Sequence, residues 1–153
     1  NDQMNAWKLL GGLSLGLFCH TAMAGEPIAD LDQFEAGYIA CIEDEKAFAD
    51  SCLSGLFKPH ALPWRKDLNL QSVEDFLSKW IGKGAVYKVH PITRKETANL
   101  YQRRWYLIEN ESGGLMQLSV RFRTVKGQWH YVDMNLTNDE KAMGAITLES
   151  TEP

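Results

Sequence analysis

The sequence predicts an α+β domain, with helices that precede a four-stranded antiparallel sheet. Three observations carry that prediction. Apolar residues recur at helical spacing between residues 28 and 81. From residue 85 onward the pattern changes to alternation rich in Val, Ile, Thr, Tyr, Trp and Phe, the residues that strands favour. Turn signals at 110–114 (Asn-Glu-Ser-Gly-Gly) and 126–127 (Lys-Gly) then divide this second half into consecutive hairpins. Helices that come before an antiparallel meander in the chain pack together on one face of it.

The first 24 residues read as a secretory signal peptide. Lys8 precedes an apolar run at 9–18 and the small-residue site Ala22-Met23-Ala24. That run is about half of what a membrane-spanning helix needs. Asn1, Asp2 and Gln3 lie before the first methionine and are set aside. The domain expected is 25–138, followed by a polar tail at 139–153.

Leu31, Phe34, Tyr38, Cys41 and Ile42 form the apolar stripe of a first helix with an acidic outer side (Asp30, Asp32, Glu35, Glu43). The stripe breaks at 43–46 and resumes with Phe48, Cys52, Leu53, Leu56 and Phe57 before Pro59. In one unbroken helix, cysteines 11 residues apart would lie roughly 16 Å apart along the axis, beyond disulfide reach. A Cys41–Cys52 disulfide, expected for the two cysteines left in an exported chain, therefore requires the break. Residues 58–70 read as a loop. Ser72 is the expected N-cap of a helix carrying Val73, Phe76, Leu77, Trp80 and Ile81, which stops at Gly82 or Gly84. Strands are expected at 85–95, 99–110, 114–125 and 128–137.

This order resembles the nuclear-transport-factor-2-like superfamily, a cystatin-like α+β cone. The resemblance rests on the 28–57 helix pair with its acidic turn, the third helix before the sheet, and the closing strand Gly127-Gln128-Trp129-His130-Tyr131-Val132-Asp133-Met134. It implies a cone-shaped fold and dimerisation through the sheet. It leaves the function open among acid–base enzymes, ligand binders and transport subunits.

Composition narrows the function classes. The 153 residues are 44% hydrophobic and 24% charged with a net charge of −4, which suits one globular domain and excludes a generally basic nucleic-acid binder. His60, His90 and His130 have no metal-ligand spacing. No nucleophile motif and no phosphate-binding glycine loop occurs, so neither a metal nor another cofactor is expected. The residues available for proton transfer are His90, Tyr106, His130, Tyr131 and Asp133. None matches a catalytic motif, so no catalytic residue is assigned, and all five also read as ordinary strand-face residues. Six aromatics, Phe34, Tyr38, Phe76, Trp80, Trp105 and Phe122, are expected to fill the cone.

Charge is segregated. Residues 26–50 carry eight acids and one base, and residues 79–126 ten bases and three acids. Such runs are often solvated faces; the functional reading is a basic sheet face that docks an acidic protein or an anionic ligand. Pairing Glu111 with Gly114 sets Leu107 by Leu118, Trp105 by Val120 and Arg103 by Phe122. With a three-residue turn at 125–127, Arg104, Tyr106, Arg121, Arg123, Trp129, Tyr131 and Asp133 then share the outward face and form the expected binding surface. In this register Asp133 offers the arginines an internal counter-charge. The leading expectation is a small periplasmic or secreted non-enzymatic protein that binds a partner or ligand through this face or the cone. The alternative is a lyase or isomerase with acid–base residues in the cone.

Overall fold

In a computed structural model of the chain, residues 25–82 and 86–149 are described. The expected signal segment, Gly84 and the last four residues lie outside these. Helices α1 (Leu31–Glu43), α2 (Glu45–Ala49), α3 (Cys52–Phe57) and α4 (Gln71–Ile81) precede strands β1 (Val86–Thr97), β2 (Tyr101–Asn110), β3 (Leu115–Val125) and β4 (Gln128–Thr137). The strands form one antiparallel sheet in the order β1-β2-β3-β4. A last helix, α5 (Glu140–Glu149), occupies the segment expected to be a polar tail. Met143 anchors it, being buried outside the main core cluster.

Asp30 starts α1 by accepting the N–H groups of Asp32 and Gln33, as an N-cap aspartate does. Asp44 ends α1 in an extended conformation and caps α2 by accepting Ala47 N–H at 2.8 Å. Ser51, at φ 61°, then turns the chain into α3. These two breaks fold the 28–57 segment back on itself. They bring the Cys41 and Cys52 Cα atoms to 5.9 Å in a disulfide. α4 starts one residue before the expected cap, and Asn69 rather than Ser72 supplies the side-chain acceptor, taking Ser72 N–H at 3.3 Å.

The core lies between α1–α4 and the inner face of the sheet. Phe57 sits at its centre, with ring centroids 5.1 Å from Phe34, 5.1 Å from Tyr38 and 4.6 Å from Tyr131. Tyr38, Phe57 and Phe122 are completely buried. Two of the six aromatics expected inside are elsewhere: Phe76 is 48% exposed on α4, and Trp105 points to the other side of the sheet. Phe57 and Tyr131 take their place.

Two turns set the register, and both differ from expectation by one residue. Between β2 and β3 the loop is Glu111-Ser112-Gly113, with Asn110 N–H donating to Gly114 O at 3.0 Å and Gly113 at φ 84°. This is a three-residue hairpin that needs a left-handed residue in its last position, which glycine provides. Glu109 therefore pairs with Leu115, Trp105 with Ser119 and Tyr106 with Leu118. A slip of one residue turns every β2 side chain to the opposite face. Arg104 and Tyr106, expected outside, thus face the helices.

Between β3 and β4 the turn is two residues, Lys126 at φ 52° and Gly127 at φ 78°, the double positive φ of a type I′ turn. Trp129 and Tyr131 consequently face inward, opposite Thr124 and Phe122. A bulge at Val132 then restores the outward direction: Phe122 pairs with Tyr131 but Arg121 pairs with Asp133. Asp133 stays on the outer face without the three-residue turn that had been expected to put it there.

The edges are covered. Ile28 N–H donates to Trp129 O at 2.8 Å, Leu62 N–H to Tyr131 O at 3.2 Å, and Arg65 Nη1 to Val132 O at 2.8 Å. Together these satisfy much of the free edge of β4. β1 carries Pro91, which an edge strand tolerates, and α1 reaches it through Glu43 Oε1, which accepts Val89 N–H at 2.9 Å.

Candidate functional site

Two groups of functional side chains emerge, one on each face of the sheet. The inner group is held by α1 and the Tyr101 end of β2. Asp32 and Glu35 lie three residues apart and so share one side of α1. Opposite them stands Arg104, with a side chain only 3% exposed. Its guanidinium donates to Asp32 Oδ1 at 2.8 Å and lies 3.0 Å from Glu35 Oε2. Its Nε donates to Gln102 Oε1 at 2.5 Å, and Gln102 in turn donates to Glu96 Oε2 at 2.6 Å. Arg94 adds a second cation on Asp32 Oδ1 at 2.9 Å.

Deeper in, Tyr106 donates its hydroxyl proton to Glu35 Oε2 at 2.5 Å. With that proton engaged, the short contact between the Tyr38 and Tyr106 hydroxyls runs with Tyr38 as donor. Burial raises both phenols well above the ordinary tyrosine range, and their mutual contact and Glu35 add to the effect on Tyr106. Both are therefore neutral hydrogen-bond donors rather than bases. Asp32 is the opposite case: the hydrogen bond and charge of Arg104 hold its carboxyl below its usual range. Arg104 is kept charged despite its burial by Glu35 and Asp32. A buried cation is tolerated only with such partners.

This network forms one wall of a cleft of about 530 Å³, bounded also by the start of α1 and by Trp129. The other inward-facing candidate, Tyr131, is buried against Phe57 with its phenol raised by burial. His130 is also buried, and its Nδ1 has no hydrogen-bond partner among the described residues. Burial and the nearby His60 hold its pKa below 6.5. His90 is exposed on β1, 3.1 Å from Glu109. The five expected proton-transfer residues are therefore scattered over both faces and do not converge. Among the described residues no group of three or more His, Cys, Asp or Glu side chains is arranged to hold a metal ion.

The outer group keeps three of the seven residues expected there: Arg121, Arg123 and Asp133. Arg121 is paired with Asp133, Nε to Oδ1 at 2.5 Å and Nη2 on Oδ2, and the bond to Asp133 raises its pKa further. The register adds Tyr101, Arg103 and Trp105 to this face, with Lys95 opposite Arg103 on β1. The arginines lie over aromatic rings: Arg103 is 4.9 Å from the Trp105 ring centre, Arg121 5.9 Å from Tyr101, and Arg123 5.4 Å from Trp64. Each is within cation–π range. Arg103 also donates to Ser119 Oγ at 3.0 Å. Trp64, 56% exposed in the segment that covers β4, was not singled out by its sequence context. Nothing local ties it to Arg123, 59 residues on. Arg103, Tyr101 and Trp105 were missed because one turn residue set β2 the wrong way round, and Gly113 was the available signal.

Among the described residues no helix is long and apolar enough to cross a membrane. Comparison with protein-family models, with curated proteins and with solved structures finds no match.

Proposed function

We propose that the chain is an exported, non-enzymatic binding protein of cystatin-like cone architecture, similar to the nuclear-transport-factor-2-like superfamily, that docks an acidic protein through its outer sheet face. One observation carries the reading: three arginine–aromatic pairs and Lys95 share a face on which Asp133 and, at the far end beside His90, Glu109 are the strand carboxylates. Arginine, tryptophan and tyrosine dominate binding hot spots, and rings beneath guanidinium groups hold the charge in a fixed place. The Cys41–Cys52 disulfide is compatible with the oxidising compartment that export implies. A symmetric dimer through this face would set the cations of one copy against those of the other, so an acidic partner is favoured over self-association.

The alternative, a lyase or isomerase of the cone, draws on the Tyr38–Tyr106–Glu35 chain. Those hydroxyls are bonded to one another and to Glu35, while Glu35 is neutralised by Arg104. The network therefore serves the fold before any substrate.

The test is cross-linking of the chain in its native compartment, comparing wild type with Lys95→Glu/Arg123→Glu. Both residues are exposed and neither has an ion pair among the described residues. An acidic cross-linked partner should fall about tenfold or more in yield, with circular dichroism unchanged. An equal yield from the charge-reversed protein would sink the reading.

A further inference from the structure

A cleft of about 590 Å³ separates α3 from the segment that follows it at 58–68. Three cations line it, Lys58, Arg65 and Lys66, and no carboxylate does. None of the three forms an ion pair among the described residues. Arg65 is already fixed, because its Nη1 donates to Val132 O at 2.8 Å, yet its half-buried guanidinium has no counter-charge. A recess lined by one sign of charge concentrates small ions of the other sign. Its lining includes none of the outer-face residues, so the cleft is separate from the docking face.

A second observation is independent of charge. Ser54, in the same lining, is only 6% exposed, and its Oγ is buried without a hydrogen-bond partner among the described residues. Ser54 and Lys58 lie four residues apart on helical backbone and so project from one side of it, the side that lines the cleft. Glu74, the carboxylate in contact with Ser54, is bonded to the backbone instead: its Oε1 accepts Ser54 N–H at 2.7 Å. A buried hydroxyl without a partner costs stability. A role in the fold does not explain it, whereas a donor held among unpaired cations fits an anionic ligand.

We propose that this cleft binds a small organic anion with two or more negative charges, a phosphate ester or a polycarboxylate. Both present several oxyanion oxygens on one small body, which is what the cleft recognises. Lys58 and Lys66 supply charge, Arg65 its remaining N–H groups, and Ser54 a donor in a fixed place. Leu68 adds an apolar patch for the carbon part of the ligand. The volume lies within the range of small-molecule sites.

The test is a nuclear magnetic resonance titration of the isotope-labelled chain, at constant ionic strength, with phenyl phosphate, citrate and the singly charged hexanoate. Phenyl phosphate or citrate should shift the Ser54 and Gly55 amide signals saturably, and hexanoate should bind more weakly. Gly55 also lines the cleft, and a Cβ there would meet no atom within 4 Å. Gly55→Glu should therefore preserve the fold, set a carboxylate in the cleft and weaken binding by more than about tenfold. Ser54→Ala should weaken binding by about tenfold through loss of one hydrogen bond to a charged group. Because that hydroxyl has no partner in the fold, the same variant should keep or raise the denaturation midpoint. No saturable shift with either multiply charged probe, or hexanoate binding as tightly, would overturn the proposal. So would binding indifferent to Gly55→Glu or Ser54→Ala, or a midpoint that Ser54→Ala lowers.

Discussion

At the scale of single residues, the structure places a backbone cost and a polar chain where substitutions read them directly. Ala98 and Asn99 turn β1 into β2 with φ of 54° and 52°. Asparagine tolerates the left-handed region, but alanine meets its own Cβ there. Ala98→Gly should therefore stabilise the protein by about 1 kcal/mol, less the extra freedom glycine brings to the unfolded chain. Chemical denaturation checks this, and a loss of stability would show that the turn does not depend on this φ. Tyr106→Phe acts in the opposite direction. It removes the acceptor for Tyr38 and the donor to Glu35 within a buried cluster. Leaving buried polar groups without partners costs about 1–3 kcal/mol, so the variant should unfold at correspondingly lower denaturant, with the helical signal of the native state retained.

At the scale of elements, the two breaks in the helical segment and the two hairpin turns decide the arrangement. Asp44 and Ser51 redirect the chain within eight residues, and the disulfide closes the loop that they form. Closing a loop of this length stabilises by roughly 2–3 kcal/mol on chain-entropy grounds. Cys41→Ser/Cys52→Ser should lower stability by about that amount, measured against the oxidised protein. Mass spectrometry of the native chain should find no free thiol at either position. Two free thiols would mean that the Asp44 and Ser51 caps hold the fold-back alone. In the sheet, the type I′ turn at Lys126-Gly127 and the bulge at Val132 act as a pair. The turn aims Trp129 and Tyr131 at the core, and the bulge then aims Asp133 at Arg121. Neither device alone produces both outcomes.

At the scale of the whole molecule, charge is divided between two layers and partly joined across them by Asp32 with Arg94 and Arg104, and by Glu43 with Lys88 at 3.7 Å. Stability should accordingly fall with acid in two stages. His130 is buried, and burial and then His60 hold its pKa below 6.5. The unfolded chain therefore takes up a proton more readily than the folded one. The stabilisation is complete above about pH 6.5 and is lost as the pH falls from there through the lower folded value. Melting temperature should drop between pH 7.5 and pH 5, and His130→Gln should flatten that drop whatever its effect on the absolute value. An unchanged slope would assign the drop to other groups. The second stage belongs to Asp32, whose carboxyl Arg104 holds below 3.8. Its contribution persists above that pH and disappears as the pH falls further.

Much of this architecture was legible without coordinates. The α+β class, the acidic break that separates α1 from α2, the Cys41–Cys52 disulfide and the strand spans follow from local rules: periodicity, caps and turn residues act over a few positions. The face on which each strand residue lies did not follow, because β2 carries plausible core residues in both phases, Trp105 and Leu107 in one, Tyr106 and Ile108 in the other. Alternation alone cannot choose between them. The Gly113 turn chose the second phase, and α1 made it tenable by supplying Asp32 and Glu35 to a buried Arg104 from 72 and 69 residues away. The segment expected to be a polar tail carries α5, whose Met143 is buried. Apart from α5, sequence by itself determined which segments are helix and which are strand, since those preferences are set within a few residues of chain. Only the tertiary structure decided which side chains meet, because a charge can be buried, or an arginine laid over a tryptophan, only where a distant segment supplies the partner.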